Sequence, residues 1–143
     1  MSVREKIASN IVTQLQAISS PTIKLVTREP FDFDKLSNAQ YPAILVRTTN
    51  ESREDATVGG AASSRFGNID YELVCFVKST TIDTSRNQIV EAIEEKLDVD
   101  RTRGGNAIDT QITSIETDDG SIDPIGGVII TVRVEYQFTR GTT

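Results

Sequence analysis

Three aspartates in one short acidic stretch are the side chains of this sequence best suited to chemistry. Asp118, Asp119 and Asp123 lie within six residues of one another. Carboxylate oxygens are the ligands that Ca²⁺ and Mg²⁺ prefer, so these residues are candidates for a small metal-binding module or a metal-dependent enzyme. Their spacing differs from the D-x-[DN]-x-[DN]-G calcium loop, and Gly120 and Pro124 are typical of a turn. The sequence therefore favours a solvated hairpin turn, with the metal site as the alternative.

The composition removes most catalytic arrangements. The chain contains no histidine, which excludes Ser-His-Asp and Cys-His sites and the commonest general base. Its one cysteine, Cys75, lies in the apolar run from Leu73 to Val77 and has no basic neighbour in sequence that would lower its pKa. We predict that Cys75 is an unreactive core residue, and we expect a protein without catalytic activity or cofactor.

Length and charge limit the remaining possibilities. The chain has 143 residues, 37% of them hydrophobic, which predicts one domain over residues 1–143. Its net charge is -6, and the lysines and arginines are scattered among acids, so we expect no specific binding of DNA. The sequence shows no long apolar span and no secretory signal pattern, so we expect a soluble protein of intracellular origin that binds no membrane.

Hydrophobic periodicity predicts two helices and five strands. Apolar residues recur at three- and four-residue spacing in both helical segments and at two-residue spacing in the last strand. The predicted helices cover about residues 3–18 and 82–98, and the predicted strands about 23–27, 41–47, 66–78, 108–117 and 128–138. Burying both helical stripes on one face of a largely antiparallel sheet of four or five strands gives an α+β two-layer sandwich in the order α-β-β-β-α-β-β.

Two loops between the predicted strands carry distinct signals. We expect Phe31 and Phe33 to anchor the loop before the second strand onto the body of the domain. Residues 50–65 contain Gly59, Gly60 and a run of small side chains, which is typical of a flexible segment. The sequence therefore predicts a flexible arm over about residues 50–65 that contacts other subunits.

The order of elements, together with several turns, resembles a known family. The second helix ends in Leu97-Asp98 and a Gly-Gly turn follows it; the next strand ends near Thr117-Asp118; and the closing strand ends in Val134-Glu135-Tyr136. In these features, and in a strand opening with Tyr41-Pro42-Ala43, the chain resembles the tail terminator proteins of tailed bacteriophages, also called minor tail protein U-like or tail completion proteins. The resemblance covers nearly the whole chain.

The resemblance implies a structural virion protein located at the junction of head and tail and assembled in the host cytoplasm. Six copies would form a ring that caps the tail tube, stops its polymerisation and joins the tail to the head connector. The implied partners are further copies of the chain, the tail tube protein, the head-tail connector protein and, in a contractile tail, the sheath, while DNA passes through without specific binding. Another head-tail connector or tail tube subunit is the alternative within the same class.

Charged residues near the arm and on the last strand are the predicted interface residues. Alternation on the last strand places its charged side chains on the face opposite its apolar ones. The candidates are Glu51, Arg53, Glu54, Asp55, Arg65, Arg133 and Glu135.

Overall fold

The computed structural model describes residues 2–55, 64–120 and 124–139. Its two helices are α1 (Val3–Gln16) and α2 (Ile82–Val99), and its five strands are β1 (Leu25–Thr27), β2 (Ala43–Asp55), β3 (Ser64–Lys78), β4 (Asp109–Thr117) and β5 (Ile125–Thr139). Two short 3₁₀ turns, Phe33–Lys35 and Asn38–Gln40, lie between β1 and β2. The predicted order α-β-β-β-α-β-β is confirmed.

All five strands form one mixed sheet in the order β1-β2-β3-β5-β4. Only β1 and β2 are parallel, and the other three pairs are antiparallel. The longest ladder joins β3 to β5 and runs from the pair Ser64 and Thr139 to the pair Lys78 and Ile125. The predicted α+β sandwich with a largely antiparallel sheet is therefore confirmed.

The core lies between the two helices and one face of the sheet, which we call the helix face. In β3 and β5 every second side chain is buried, as the alternation of apolar residues requires. The helices contribute Ile7, Ile11 and Leu15 from α1 and Ile89, Ile93 and Leu97 from α2, all fully buried, to the same cluster. Cys75 is buried in this core, as predicted, and burial raises the pKa of its thiol.

The opposite face of the sheet, the outer face, has an apolar end and a charged end. At the apolar end Phe76 receives the ring of Phe33 in a stack with centroids 4.9 Å apart and the ring of Phe31 in an edge contact at 5.9 Å. These two phenylalanines attach the loop between β1 and β2 to the sheet, which confirms their predicted anchoring role. No helix that could span a lipid bilayer is present among the described residues.

The start of α1 is capped by a side chain and tied to the edge of the sheet. The Ser2 hydroxyl accepts a hydrogen bond from the backbone N–H of Glu5 at 3.1 Å. The Glu5 carboxylate accepts hydrogen bonds from both terminal nitrogens of Arg28 and from the Ser9 hydroxyl. Since Arg28 follows β1 directly, this ion pair holds the first helix against the edge of the sheet, and α1 ends at Gln16 instead of residue 18.

Both ends of the predicted arm consist of strand residues. Residues Asn50 to Asp55 pair with β3 as part of β2, and Ser64 and Arg65 are the first residues of β3. Backbone pairing with β3 places these residues in strands despite their low strand propensity, and the flexible arm stays a prediction from the sequence. Residues 56–63, which include the Gly59-Gly60 pair, lie outside the described part of the chain.

A buried arginine closes the end of α2. The Arg103 side chain is fully buried, and its guanidinium donates to the backbone carbonyls of Leu97 and Asp100 and, at 3.3 Å, to Asn10 of α1. The last carbonyls of a helix have no partner within the helix and carry its partial negative charge, so a cation suits this position. Burial lowers the pKa of Arg103, although the group stays cationic, and the contact joins α1 to α2.

Replacing Arg103 with alanine should lower the free energy of unfolding by about 2–4 kcal/mol, because the helix carbonyls lose their donor and a cavity remains. Arg101→Ala is the matched control, since Arg101 forms an exposed ion pair with Asp109 in the same loop and should cost less than about 1 kcal/mol. Urea denaturation of both variants measures the difference. Equal losses would contradict the structural role given to Arg103.

Candidate functional site

The acidic stretch that opened the sequence is a turn tied to α2. Asp118 follows β4 directly, and one of its carboxylate oxygens accepts hydrogen bonds from Arg86 at 2.7 Å and from the Gly120 N–H at 2.8 Å. The other oxygen accepts from the N–H of Gly127 on β5. Arg86 belongs to the first half of α2, and its side chain is only 11% exposed. Asp118 thus joins the helix to the turn between the last two strands.

Asp118 is therefore already paired with a cation, the guanidinium group of Arg86. No group of three or more acidic or cysteine side chains is close enough to hold a metal ion within residues 2–55, 64–120 and 124–139. Asp119 is exposed on the same turn, and Asp123 lies outside the described residues. The three-aspartate metal site therefore stays a prediction from the sequence, and the observed role of Asp118 is to hold the turn.

Asp118→Asn should lower the free energy of unfolding by about 1.5–3 kcal/mol, because the charge-assisted hydrogen bond with Arg86 is lost. Glu116→Gln, an exposed carboxylate two residues away, serves as the control and should change stability by less than about 0.5 kcal/mol. Thermal melts of the unmodified protein with Ca²⁺ and with a chelator should coincide. A melting temperature that rises with Ca²⁺ and loses this response in the asparagine variant would support the metal site instead.

A second polar cluster lies on the helix face, beyond the N-terminal end of α1. Its centre is Glu51 of β2, which accepts from Arg4 of α1 at 2.7 Å through one oxygen. The other oxygen accepts from the Tyr136 hydroxyl at 2.9 Å and from Arg53. The Arg53 guanidinium also lies 4.6 Å from the ring centroid of Phe138. We call these five residues the Glu51 cluster.

The absence of a side chain at Gly67 makes room for this cluster. Gly67 of β3 lies between Arg53 and Tyr136 in the sheet. A Cβ atom at this position would lie 2.4 Å from the Tyr136 ring and 3.1 Å from the Glu51 carboxylate. Glycine therefore allows the tyrosine ring to cross β3 and reach β2.

The cluster shifts the ionisation of its own members. Burial by itself would raise the pKa of Glu51, but hydrogen bonds from Arg53 and Tyr136 and the charges of Arg53 and Arg4 hold the pKa below its ordinary value. Burial and the neighbouring carboxylate raise the pKa of Tyr136 to about 12. The tyrosine stays protonated and donates, while the carboxylate stays ionised and accepts. This arrangement is a structural ion pair and contains no group prepared for proton transfer near neutral pH.

Glu51→Gln should reduce the free energy of unfolding at pH 7 by about 1–3 kcal/mol, whereas Glu54→Gln on the exposed side of the same strand should have little effect. Because the pKa of Glu51 is lowered in the folded state, its stabilisation is complete above the ordinary value of 4.5 and is lost as the pH falls through the folded value. Urea denaturation between pH 7 and 3 should show the two proteins converging in acid. A constant difference across that range would contradict the ionic role.

Three of the other predicted interface residues lie on the outer face of the sheet. Arg133 of β5 donates to both carboxylate oxygens of Asp70 on β3, at 3.0 and 3.4 Å. Glu135, two residues further along β5, is half-buried beside Asp109, and Glu54 is exposed near the end of β2. Asp55 and Arg65 pair with each other near the ends of β2 and β3, in register with Phe138 of β5, whose side chain lies on the helix face.

A groove lies at the opposite end of the sheet, where β3 ends and α2 begins. Its volume is about 430 Å³, and it is lined by three prolines, Tyr41, Lys78 and small polar residues of the turn into α2. The Lys78 ammonium group donates to Asn38 at 2.6 Å. The described lining residues include no carboxylate and no cysteine, so no carboxylate in the lining is available to activate the hydroxyl groups of Ser79, Thr80 and Ser85.

The negative charge of the chain is concentrated on one side. Residues 82–119, which form α2, β4 and the turns at their ends, contain ten acidic and four basic side chains, a net charge of -6. The rest of the chain contains eleven of each and is neutral. We call the surface formed by α2 and β4 the acidic flank, and the surface formed by α1, β1 and β2 the neutral flank. The acidic flank and the neutral flank, at the two edges of the sheet, therefore differ in net charge.

Sequence reasoning identified the acidic turn and the charged strand ends but missed three residues that organise them, Arg86, Arg103 and Tyr136. Their partners are far away in sequence: Tyr136 contacts Glu51 across 85 residues, and Arg103 contacts Asn10 across 93. Within the Glu51 cluster, the sequence could have predicted only that Glu51 and Arg53 are neighbours, because their two-residue spacing places both on one face of a strand.

Comparison with known proteins gives a structural relationship alone. No protein family model matches the sequence, and no curated protein matches it. The fold is similar to that of a chain in the solved structure of the virion of a native gene transfer agent particle, with a TM-score of 0.58. The similarity covers 92% of this chain and 94% of that chain at 10% sequence identity. At this identity the finding shows a shared α+β fold over nearly the full length of both chains.

Proposed function

We propose that this protein is a structural component of a virion and has no enzymatic activity. The observation that carries the proposal is the shared fold, which extends over 92% of this chain and 94% of a chain in a gene transfer agent virion. Coverage of both chains from end to end argues for a relationship of whole subunits and not of one common motif. Fold similarity is an analogy, so the surfaces of this chain must be consistent with the same role.

The more specific proposal is a tail terminator subunit at the junction of head and tail. It rests on the sequence resemblance to tail terminator proteins together with the virion fold. In this role six copies form a ring that caps the tail tube, stops its growth and binds the head connector. The partners are other copies of the chain, the tube protein, the connector protein and, in a contractile tail, the sheath. A different connector subunit or a tube subunit would be built on the same fold.

The surfaces are those that a ring subunit needs. A cyclic ring is built by one repeated contact between two different patches of each subunit, and the acidic and neutral flanks are two such patches. A net charge of -6 also suits a protein near the path of a DNA genome, because like charge prevents adhesion. The predicted interface residues outside the Glu51 cluster, Glu54, Asp55, Arg65, Arg133 and Glu135, are proposed for contacts with neighbouring proteins.

The purified protein should form closed rings, with a mass by light scattering close to six times the 15.7 kDa of one chain and ring-shaped particles in negative-stain images. When added to polymerising tail tube protein, it should shorten the tubes and appear at one tube end. Glu135→Lys, which reverses a charge on the outer face, tests whether that face contacts the tube. A monomer at every concentration, or unchanged tube lengths, would contradict the terminator role.

A further inference from the structure

The sheet has two unpaired edges, and they belong to the two different flanks. β4 is the last strand in the sheet order, and among the described strands it pairs with β5 alone. On the other side β1 covers β2 only from Ala43 to Leu45, so the stretch from Val46 to Asp55 has no strand on its second side within the described residues. Unpaired strand edges carry rows of free N–H and C=O groups and are templates for another strand.

Both edges are accessible to a further strand, and each has one irregularity in its pairing, after Thr48 in β2 and after Ile112 in β4. Residues 47–50 of β2 and 113–117 of β4 are exposed. Ile115, in the regular part of β4 after the irregularity between Ile112 and Ser114, is 43% exposed and is one of three large hydrophobic side chains that the described surface leaves open. The β4 sequence contains no lysine or proline, the residues that commonly block an edge. An apolar side chain on an open edge is typical of a surface that becomes covered.

Strand direction fits a head-to-tail contact. From β2 to β4 the sheet contains four strands, each antiparallel to the next, so β2 and β4 run in opposite directions. Rotation about a ring axis preserves the direction of each strand along that axis. β4 of one copy therefore meets β2 of the next copy in antiparallel orientation, which continues the existing ladder pattern.

Charge disfavours the symmetrical alternative. Two copies that joined β4 to β4 would bring together two flanks with a net charge of -6 each. Pairing β4 with β2 instead places the acidic flank against a neutral one and avoids this repulsion. A contact between two different edges builds a ring or a filament, whereas a self-complementary contact stops at a dimer.

From these observations we infer that subunits join edge to edge, with β4 of one copy pairing antiparallel with residues 46–55 of β2 in the next copy. The inference rests on the proposed ring and specifies its interface. In this arrangement the sheets continue from one subunit to the next, and Ile115 becomes covered by the neighbouring β2.

Ile115→Lys tests the β4 edge, because a lysine at the centre of the interface would have to be buried without a partner. Asn87→Lys adds the same charge on the exposed surface of α2 and is the matched control. In light scattering we expect the ring mass for the control and a fall to the 15.7 kDa monomer for Ile115→Lys. Circular dichroism confirms that both variants are folded. A ring that persists in the folded lysine variant would overturn the inference.

Cysteine pairs give a second test that does not depend on charge. In three separate variants, Ser114→Cys on β4 is combined with Arg47→Cys, Asn50→Cys or Ser52→Cys on β2. The three variants test three possible registers between β4 of one subunit and β2 of the next, with both cysteines on the outer face. Within one subunit these strands are three spacings apart, roughly 14 Å, so a disulfide can form only between subunits. The native Cys75 is fully buried and does not compete.

After mild oxidation, at least one variant should give a ladder of linked chains on a non-reducing gel, whereas Ser114→Cys alone should give no product beyond a dimer. Rings that form without any ladder would overturn the edge-to-edge inference and leave the ring function standing. A wild-type protein that stays monomeric would contradict the proposed function itself.

Discussion

The ladder between β3 and β5 is the constraint on which the rest of the structure depends. Each strand has 15 residues, so the ladder is roughly 50 Å long. The helices that cover it are shorter, with 14 residues in α1 and 18 in α2, or about 21 and 27 Å. The sheet therefore extends past its helical layer, and the Glu51 cluster, with the stacked rings of Tyr136 and Phe138, covers the helix face where the helices end.

Each buried or half-buried charge joins elements that hydrophobic packing alone would leave less well defined. Glu51 connects α1 to β2 and β5, Asp118 connects α2 to the turn before β5, and Arg103 connects the two helices. Hydrophobic contacts are not directional, so a two-layer sandwich can slide, whereas a carboxylate with three donors fixes one arrangement. The net charge of -6 is carried by residues 82–119, which form the acidic flank.

The sequence predicted the layers well because they depend on local periodicity. Strict alternation identified β5, and helical spacing identified both helices. Periodicity did not predict that β2 includes Asn50 to Asp55. These polar residues have low strand propensity and are held in β2 by pairing with a distant strand. In β4 the apolar residues alternate poorly, because the irregularity between Ile112 and Ser114 changes which face the following residues point to. The Glu51 cluster could not be predicted, because no periodicity links β2 to Tyr136.

The two arginine contacts of α2 have a dynamic consequence. Arg86 holds the first half of the helix to Asp118, and Arg103 holds its last carbonyls, so both ends are attached to neighbouring elements. A helix normally frays from its ends, where backbone groups lack partners. With both ends held, α2 should open as one cooperative unit, and its amide protons should exchange at similar rates along most of its length. The helix would then present its carboxylates in one fixed orientation and not as a fluctuating surface.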